Sequence, residues 1–323
     1  MSIASGYCHK IQHRGSETYR NNRQKMERQD PETDDACTHD LKGVSYMTNA
    51  DGHSLYCRVW EPSLGEGQRP RAAVFVSHGL GSHCLLGTEK LVDLLTSHGI
   101  LVFAHDHINH GRSDGERGVI PDLNILVRDV LQHVDAITSK HNDIPVFLFG
   151  ASMGGLICTE ATLERPEQFA GLMLIAPALK IPTAWKVFFL RGIVRLFPEI
   201  RRPFFTGVTQ LTKDPEKQRL ITEDPYEWGF QRVELQSALN LAKHVTRTMG
   251  LLSNIKCPFL VMHGEDDTVI NVSASKNVYH LIKSREKEIK IYPNCRHTLL
   301  LEEEEDAAKV LQDTVDWLMR NIH

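Results

Sequence analysis

No apolar run long enough to cross a bilayer occurs in the 323-residue sequence. The longest candidate, residues 184–197, is broken by Lys186, Arg191 and Arg195, which excludes a membrane-spanning helix but not contact with a membrane surface. No apolar h-region opens the chain, so no secretory signal is expected. The seven cysteines (Cys8, Cys37, Cys57, Cys84, Cys158, Cys257 and Cys295) are odd in number and lack paired spacing. That pattern speaks against a disulfide framework and for reduced thiols in the cytosol. Positive charge is not in excess either: 37 Lys plus Arg stand against 41 Asp plus Glu, for a net charge of -4. A nucleic-acid partner is therefore not expected. Internal repeats and low-complexity tracts are also missing.

What the sequence does contain is 41% hydrophobic residues over a length that suits one large domain. Residues 1–42 are polar and follow neither helical nor strand period, and are expected to be a disordered leader to a domain spanning 43–323. Within that domain, residues 44–48 and 55–60 flank Asn49-Ala50-Asp51-Gly52, the signature of an antiparallel hairpin. Short β-rich runs at 72–77, 100–104, 145–149, 172–175, 259–263 and 289–292 then alternate with helical patterns such as Leu126, Val130, Val134 and Ile137. This predicts an α/β fold, a mostly parallel sheet flanked by helices. A hairpin leading into a parallel core resembles the α/β-hydrolase architecture. Between about 178 and 248 the rhythm stops: five prolines (Pro182, Pro198, Pro203, Pro215 and Pro225) sit among helical stretches with no strand pattern, which predicts an inserted helical cap.

Two segments match G-x-S-x-G, and context separates them. Gly111-Arg112-Ser113-Asp114-Gly115 lies beyond the polar or small residues from His105 to His110 and is followed by Gly118 and Pro121, so Ser113 is expected in a turn. Gly150-Ala151-Ser152-Met153-Gly154 follows the buried-strand run Val146-Phe147-Leu148-Phe149 directly and leads into a helix ending at Arg165-Pro166. Strand, tight turn and helix raise a serine oxygen above a sheet, and glycines at 150, 154 and 155 leave the space this requires. Ser152 is the candidate nucleophile.

A serine needs a histidine to take its proton and a carboxylate to orient that histidine. After His263 the remaining histidines are His280, His297 and His323. His280 falls in a helical pattern, whereas His297 follows the strand at 289–292 in a loop, where this fold places its base. The acid is expected after the preceding strand, where Glu265, Asp266 and Asp267 stand in a row; residue chemistry alone does not choose among them. An oxyanion hole takes one backbone N–H from the residue after the nucleophile, Met153, and a second from the loop after an earlier strand, where His78-Gly79-Leu80-Gly81 offers the Leu80 amide.

Phe75-Val76-Ser77-His78-Gly79, Leu101-Val102-Phe103-Ala104-His105-Asp106-His107, Gly115-Glu116-Arg117, residues 127–135 and Ser152-Met153-Gly154-Gly155 together resemble the monoglyceride lipase family of α/β-hydrolases. The likeness runs from about residue 44 onward and is weakest through the cap. It implies that Asp267 is the acid, that His297 is the base and that Leu80 and Met153 form the oxyanion hole. It further implies hydrolysis of a monoacylglycerol to fatty acid and glycerol without cofactor or metal. Ala151 stands where the family usually has His. The loop Gly81-Ser82-His83-Cys84-Leu85-Leu86-Gly87 replaces a pattern with Glu, Arg and Tyr that helps line the alcohol side of the pocket. A lysophospholipase, a short-chain carboxylesterase and a non-enzymatic binding module are the rival readings.

Other features invite chemistry of their own. His105, His107 and His110, with His78 and His83, resemble a metal-ligand set, but their spacing lacks a full binuclear pattern and a structural network under the site is expected instead. Residues 185–197 read either as a cap helix buried on the core or as a membrane-facing lid, so the expected localisation is cytoplasmic with peripheral membrane contact. Glu302 to Glu305 and Asp306 read as the first turn of the last helix. Cys84 and Cys295 are expected in loops bordering the site, as candidates for thiol modification or as inert small residues.

Overall fold

Asn49 turns the chain between the first two strands with its own side chain: Oδ1 accepts from the N–H groups of Asp51 (3.1 Å) and His53 (3.0 Å). The hairpin joins β1 (Val44–Thr48) to β2 (Ser54–Trp60). It opens a computed structural model that describes residues 43–180, 184–197, 200–203, 207–229 and 232–322. The expected leader at 1–42 and His323 lie outside the described residues.

The chain continues through β3 (Ala72–Ser77), α1 (Glu89–Ser97), β4 (Ile100–His105), α2 (Leu123–Thr138), β5 (Val146–Ala151), α3 (Met153–Glu164) and β6 (Phe169–Ile175). An insertion follows: α4 (Ala184–Leu196), β7 (Arg201–Pro203), α5 (Pro215–Glu223), β8 (Arg232–Glu234) and α6 (Leu235–Met249). The last units are β9 (Phe259–Gly264), α7 (Ser273–Leu281), β10 (Lys287–Tyr292) and α8 (Glu304–Asn321).

Eight strands form one sheet in the order β1-β2-β4-β3-β5-β6-β9-β10, antiparallel across the first three and parallel from β4 onward. Because side chains alternate along a strand, the two faces build two cores. Phe75, Phe103 and Leu148 pack with Leu126, Val130 and Leu156 of α2 and α3 on one side. Val74, Val102 and Phe149 pack with Leu91, Leu95, Val310 and Trp317 of α1 and α8 on the other. Helix starts follow local chemistry: the Asp122 carboxylate accepts from Asn124 N–H to cap α2, and Asp214 caps α5 ahead of Pro215.

Two expectations need correction. The insertion is not free of strand, since β7 and β8 pair antiparallel over three residues each. Such short pairing leaves no period to read in a sequence. The last helix begins at Glu304, and Glu302 is outside it, buried to 1% exposure.

Candidate active site

Parallel strands in this sheet point their C-terminal ends the same way, so the loops after β3, β5, β9 and β10 gather at one edge. Ser152 sits at the end of β5 as the residue before α3, with φ 54° and ψ -117°, a left-handed conformation unusual for a side-chain-bearing residue. The surrounding backbone holds it there: Ser152 N–H donates to Ile175 O (2.9 Å), and Ser152 O accepts from Ala178 N–H (2.9 Å). The turn requires glycine at 154, where a Cβ would lie 2.2 Å from Ser77 O. Ser113 is held differently. Its hydroxyl accepts from Tyr56 N–H (2.9 Å) and donates to Asp106 O (2.6 Å), stapling a loop outside the cavity that Ser152 lines.

His297 lines the same cavity as Ser152 and lies 2.7 Å through Nδ1 from Asp267 Oδ2. Of the three adjacent carboxylates, Glu265 and Asp266 are exposed and Asp267 is buried. The Asp267 carboxylate accepts from Val269 N–H (2.8 Å) and Ile270 N–H (2.9 Å) and lies 3.1 Å from His263 Nε2. Burial works to raise its pKa, but hydrogen bonds from His263 and His297, the His297 charge and the Ile270 N–H outweigh it. The carboxyl is held well below the usual carboxylate range. The buried group therefore stays ionised, as a partner for an imidazolium must. His280 is exposed on α7, away from this cluster.

Leu80 lines the cavity, and Met153 is the first residue of α3, whose opening N–H groups have no carbonyl a turn earlier to bond. Beneath Leu80 lies the histidine network. His78 Nε2 accepts from His107 N–H (3.0 Å), which makes His78 Nδ1 the protonated nitrogen that donates to Gly79 O (2.8 Å). Burial pushes the pKa of His78 down to about 4 and that of His110 to about 3, and holds His105 and His107 well below their ordinary value. These are neutral struts. Among the described residues no group of three or more His, Cys, Asp or Glu side chains is arranged to hold a metal ion.

The cavity has an empty volume of about 830 Å³, mouth included. Its walls are mostly apolar, with Leu211, Ile221, Leu299 and Leu301 among them, and α5 contributes through Ile221. The loops of Cys84 and Cys295 border the site, through Ser82, Leu86 and His297, but both cysteine side chains are fully buried and do not line it. Burial pushes the Cys295 thiol up to about 12 and the Cys84 thiol well above its ordinary value, so neither carries a reactive thiolate.

Two residues at the site escape the sequence reading. Buried Glu302 accepts from Arg296 N–H (2.5 Å) and Lys213 N–H (3.2 Å), fixing the loop that carries His297. Inside a run of four glutamates it looks like a helix start, and no local signal marks it. Glu227 reaches the cavity wall from the insertion. The turn-forming string Asp224-Pro225-Tyr226-Glu227-Trp228-Gly229 could have flagged a loop, but not its destination.

A family profile described as serine aminopeptidase S33 matches residues 68–304. The human (Homo sapiens) monoglyceride lipase is 35% identical over 283 residues, 85% of this chain and 90% of that protein. The chain belongs to the monoglyceride lipase family. The mouse (Mus musculus) family member is 34% identical over 287 residues, 86% of this chain and 91% of its own length. A soluble variant of monoglyceride lipase from Saccharomyces cerevisiae, solved with a substrate analog, superposes with a TM-score of 0.74 at 22% identity, covering 86% of this chain and 94% of that one. That likeness extends the family fold, the α/β-hydrolase fold, across the sheet and its helices.

Among the described residues no helix is long and apolar enough to cross a membrane.

Proposed function

We propose that the protein hydrolyses the ester of a monoacylglycerol. Ser152 Oγ attacks the ester carbonyl while His297 takes its proton, and the ionised Asp267 steadies the imidazolium. The Leu80 and Met153 N–H groups receive the oxyanion. Collapse breaks the C–O bond, His297 returns the proton to the departing glycerol oxygen, and the acyl-enzyme remains. Water then attacks the acyl carbonyl, giving its proton to His297, and fatty acid leaves as Ser152 regains its hydrogen. The observation that carries this reading is the shared cavity: Ser152 in its left-handed turn and His297, bonded to buried Asp267, open into one largely apolar space. Such walls suit an acyl chain better than the charged amino terminus that an aminopeptidase must hold.

The insertion serves as a cap, and its helix α4 as a lipid contact in a cytoplasmic protein. Phe188, Phe189, Leu196 and Phe197 are 74%, 63%, 73% and 58% exposed, interspersed with exposed Arg191 and Arg195. Apolar side chains at that exposure gain by entering a headgroup region, and the arginines suit anionic lipid.

A panel of monoacylglycerols, lysophospholipids and short-chain esters tests the activity, with monoacylglycerol expected to show the highest kcat/KM. Preference for either other class would overturn the assignment. Flotation with anionic liposomes tests the lid: equal partitioning of wild type and a Phe188→Asp, Phe189→Asp variant removes the membrane role.

A further inference from the structure

Among the described residues lining the cavity, Glu227 supplies the one carboxyl. It arrives on the loop at 224–229, which is fastened to the loop after β3. Trp228 N–H donates to Gly81 O (2.8 Å), and its indole N–H donates to Asn109 O (3.1 Å). His83 Nε2 lies 3.0 Å from Asp224 Oδ2, Arg117 donates to Pro225 O (2.8 Å), and the Arg112 guanidinium stacks 3.8 Å from the Tyr226 ring centre. The approach is so close that Gly81, at φ +77°, has no room for a side chain: a Cβ would lie 2.2 Å from Gly229 N and 3.1 Å from Glu227 Oε1.

The carboxyl is fixed as firmly as the loop. Glu227 Oε1 accepts from Gly229 N–H (2.6 Å), and the group also bonds the Ser82 hydroxyl. Leu80, Leu86 and Leu211 contribute apolar surface to the same cavity, and among the described residues no lysine or arginine lines it. Burial raises the Glu227 pKa to about 8, the Gly229 N–H opposing, the Asp224 charge adding to the rise and the Ser82 hydroxyl opposing again. At neutral pH the group is therefore mostly protonated, able to donate as well as accept.

Gly229 N–H and the Ser82 hydroxyl take up part of the carboxyl's hydrogen-bonding capacity, and the rest is open to a hydroxyl that arrives with a ligand. We propose that Glu227 is the specificity residue of this site: its carboxyl hydrogen-bonds a free hydroxyl on the alcohol half of the substrate. It thereby selects uncharged, hydroxyl-bearing monoacyl esters over hydroxyl-free esters and over esters with anionic head groups. A phosphate finds no cation among the described residues of the lining, and the carboxyl repels it when ionised. The inference rests on the ester-hydrolase reading above.

The test removes the hydroxyls from the substrate and the carboxyl from the protein, separately and together. Full-length wild type, Glu227→Ala and Glu227→Gln are assayed on 1-monooleoylglycerol, the oleoyl monoester of propane-1,3-diol, propyl oleate and oleoyl lysophosphatidate. Wild type should prefer the glycerol ester to propyl oleate by roughly 2- to 10-fold in kcat/KM, the range a hydrogen bond between neutral groups spans. Glu227→Ala should collapse that ratio, mainly through KM, and Glu227→Gln should retain most of it. The wild-type substrate series stands even if Glu227→Ala fails to fold. Propyl oleate cleaved as well as the glycerol ester by wild type, an unchanged ratio in Glu227→Ala, or faster cleavage of lysophosphatidate than of the glycerol ester overturns the inference. If none of these esters is cleaved and no fluorophosphonate adduct forms at Ser152, the ester-hydrolase reading falls, and this inference with it.

Discussion

Residues 111–115 and 150–154 carry the same five-residue pattern, and each serine uses different atoms to hold its place. Ser113 spends its hydroxyl, taking a hydrogen bond from Tyr56 N–H and giving one to Asp106 O. Ser152 is held by backbone instead, its N–H on Ile175 and its carbonyl under Ala178, which leaves the hydroxyl at the cavity. A nucleophile has to be held by something other than its reacting atom. The strand before Ser152 and the helix after it supply that hold, whereas Ser113 sits in a loop where its side chain must do it.

The largest test of that contrast is Ser152→Ala, which should lower kcat on the order of a millionfold and abolish fluorophosphonate labelling, with thermal unfolding little changed. Labelling that persists in this variant would move the chemistry elsewhere. Asp267→Asn should cost about ten-thousandfold in kcat by leaving His297 without its ionised partner. A rate within tenfold of wild type would show that a neighbour such as Asp266 does the orienting.

Acid should reach both segments together, because Ser113 N–H donates to His110 O (3.1 Å) and His78 lines the cavity with Ser152. His78 and His133, with folded pKa values lowered to about 4, and His110, lowered to about 3, stay neutral when folded but take protons when unfolded below their ordinary value of 6.5. Their contribution is complete above pH 6.5 and is lost as pH falls toward 4, each costing roughly 2 kcal/mol by pH 5. Urea midpoints measured from pH 7 to 5 should drop steeply, and a flat profile would mean the histidines are already charged in the folded protein. The smallest effect belongs to Ser113→Ala. It should cost about 1–3 kcal/mol of stability by leaving Tyr56 N–H and Asp106 O without their partner, and kcat should stay within a few fold. Loss of activity without loss of stability would give Ser113 a role this comparison denies it.

Much of this was legible before the fold was seen, and the reasons are physical. The strand-turn-helix around Ser152 is local, so hydrophobic period and glycine spacing record it, and the hairpin at Asn49 is set by a side chain bonding its own turn. The choice of Asp267 over Asp266 was not local. It depends on which carboxylate the β9 loop turns inward, and only the family resemblance pointed to it. Glu302 and Glu227 were hidden for the same reason, since each meets residues far away in sequence, Glu302 at Lys213 and Glu227 beside Gly81. Cys84 and Cys295 follow the inert alternative open to them in the sequence: their loops border the cavity while both side chains turn into the core.

The bond from Trp228 to Gly81, with Gly229 packed where a side chain at 81 would be, makes two distant stretches into one heritable part. A graft that exchanges residues 224–229 for those of a relative, to alter which alcohol is accepted, would leave the loop carrying Leu80 without its buttress. The exchangeable cassette is therefore discontinuous, 79–84 together with 224–229. Diversification of this pocket, in the laboratory or in a lineage, has to change both stretches in step.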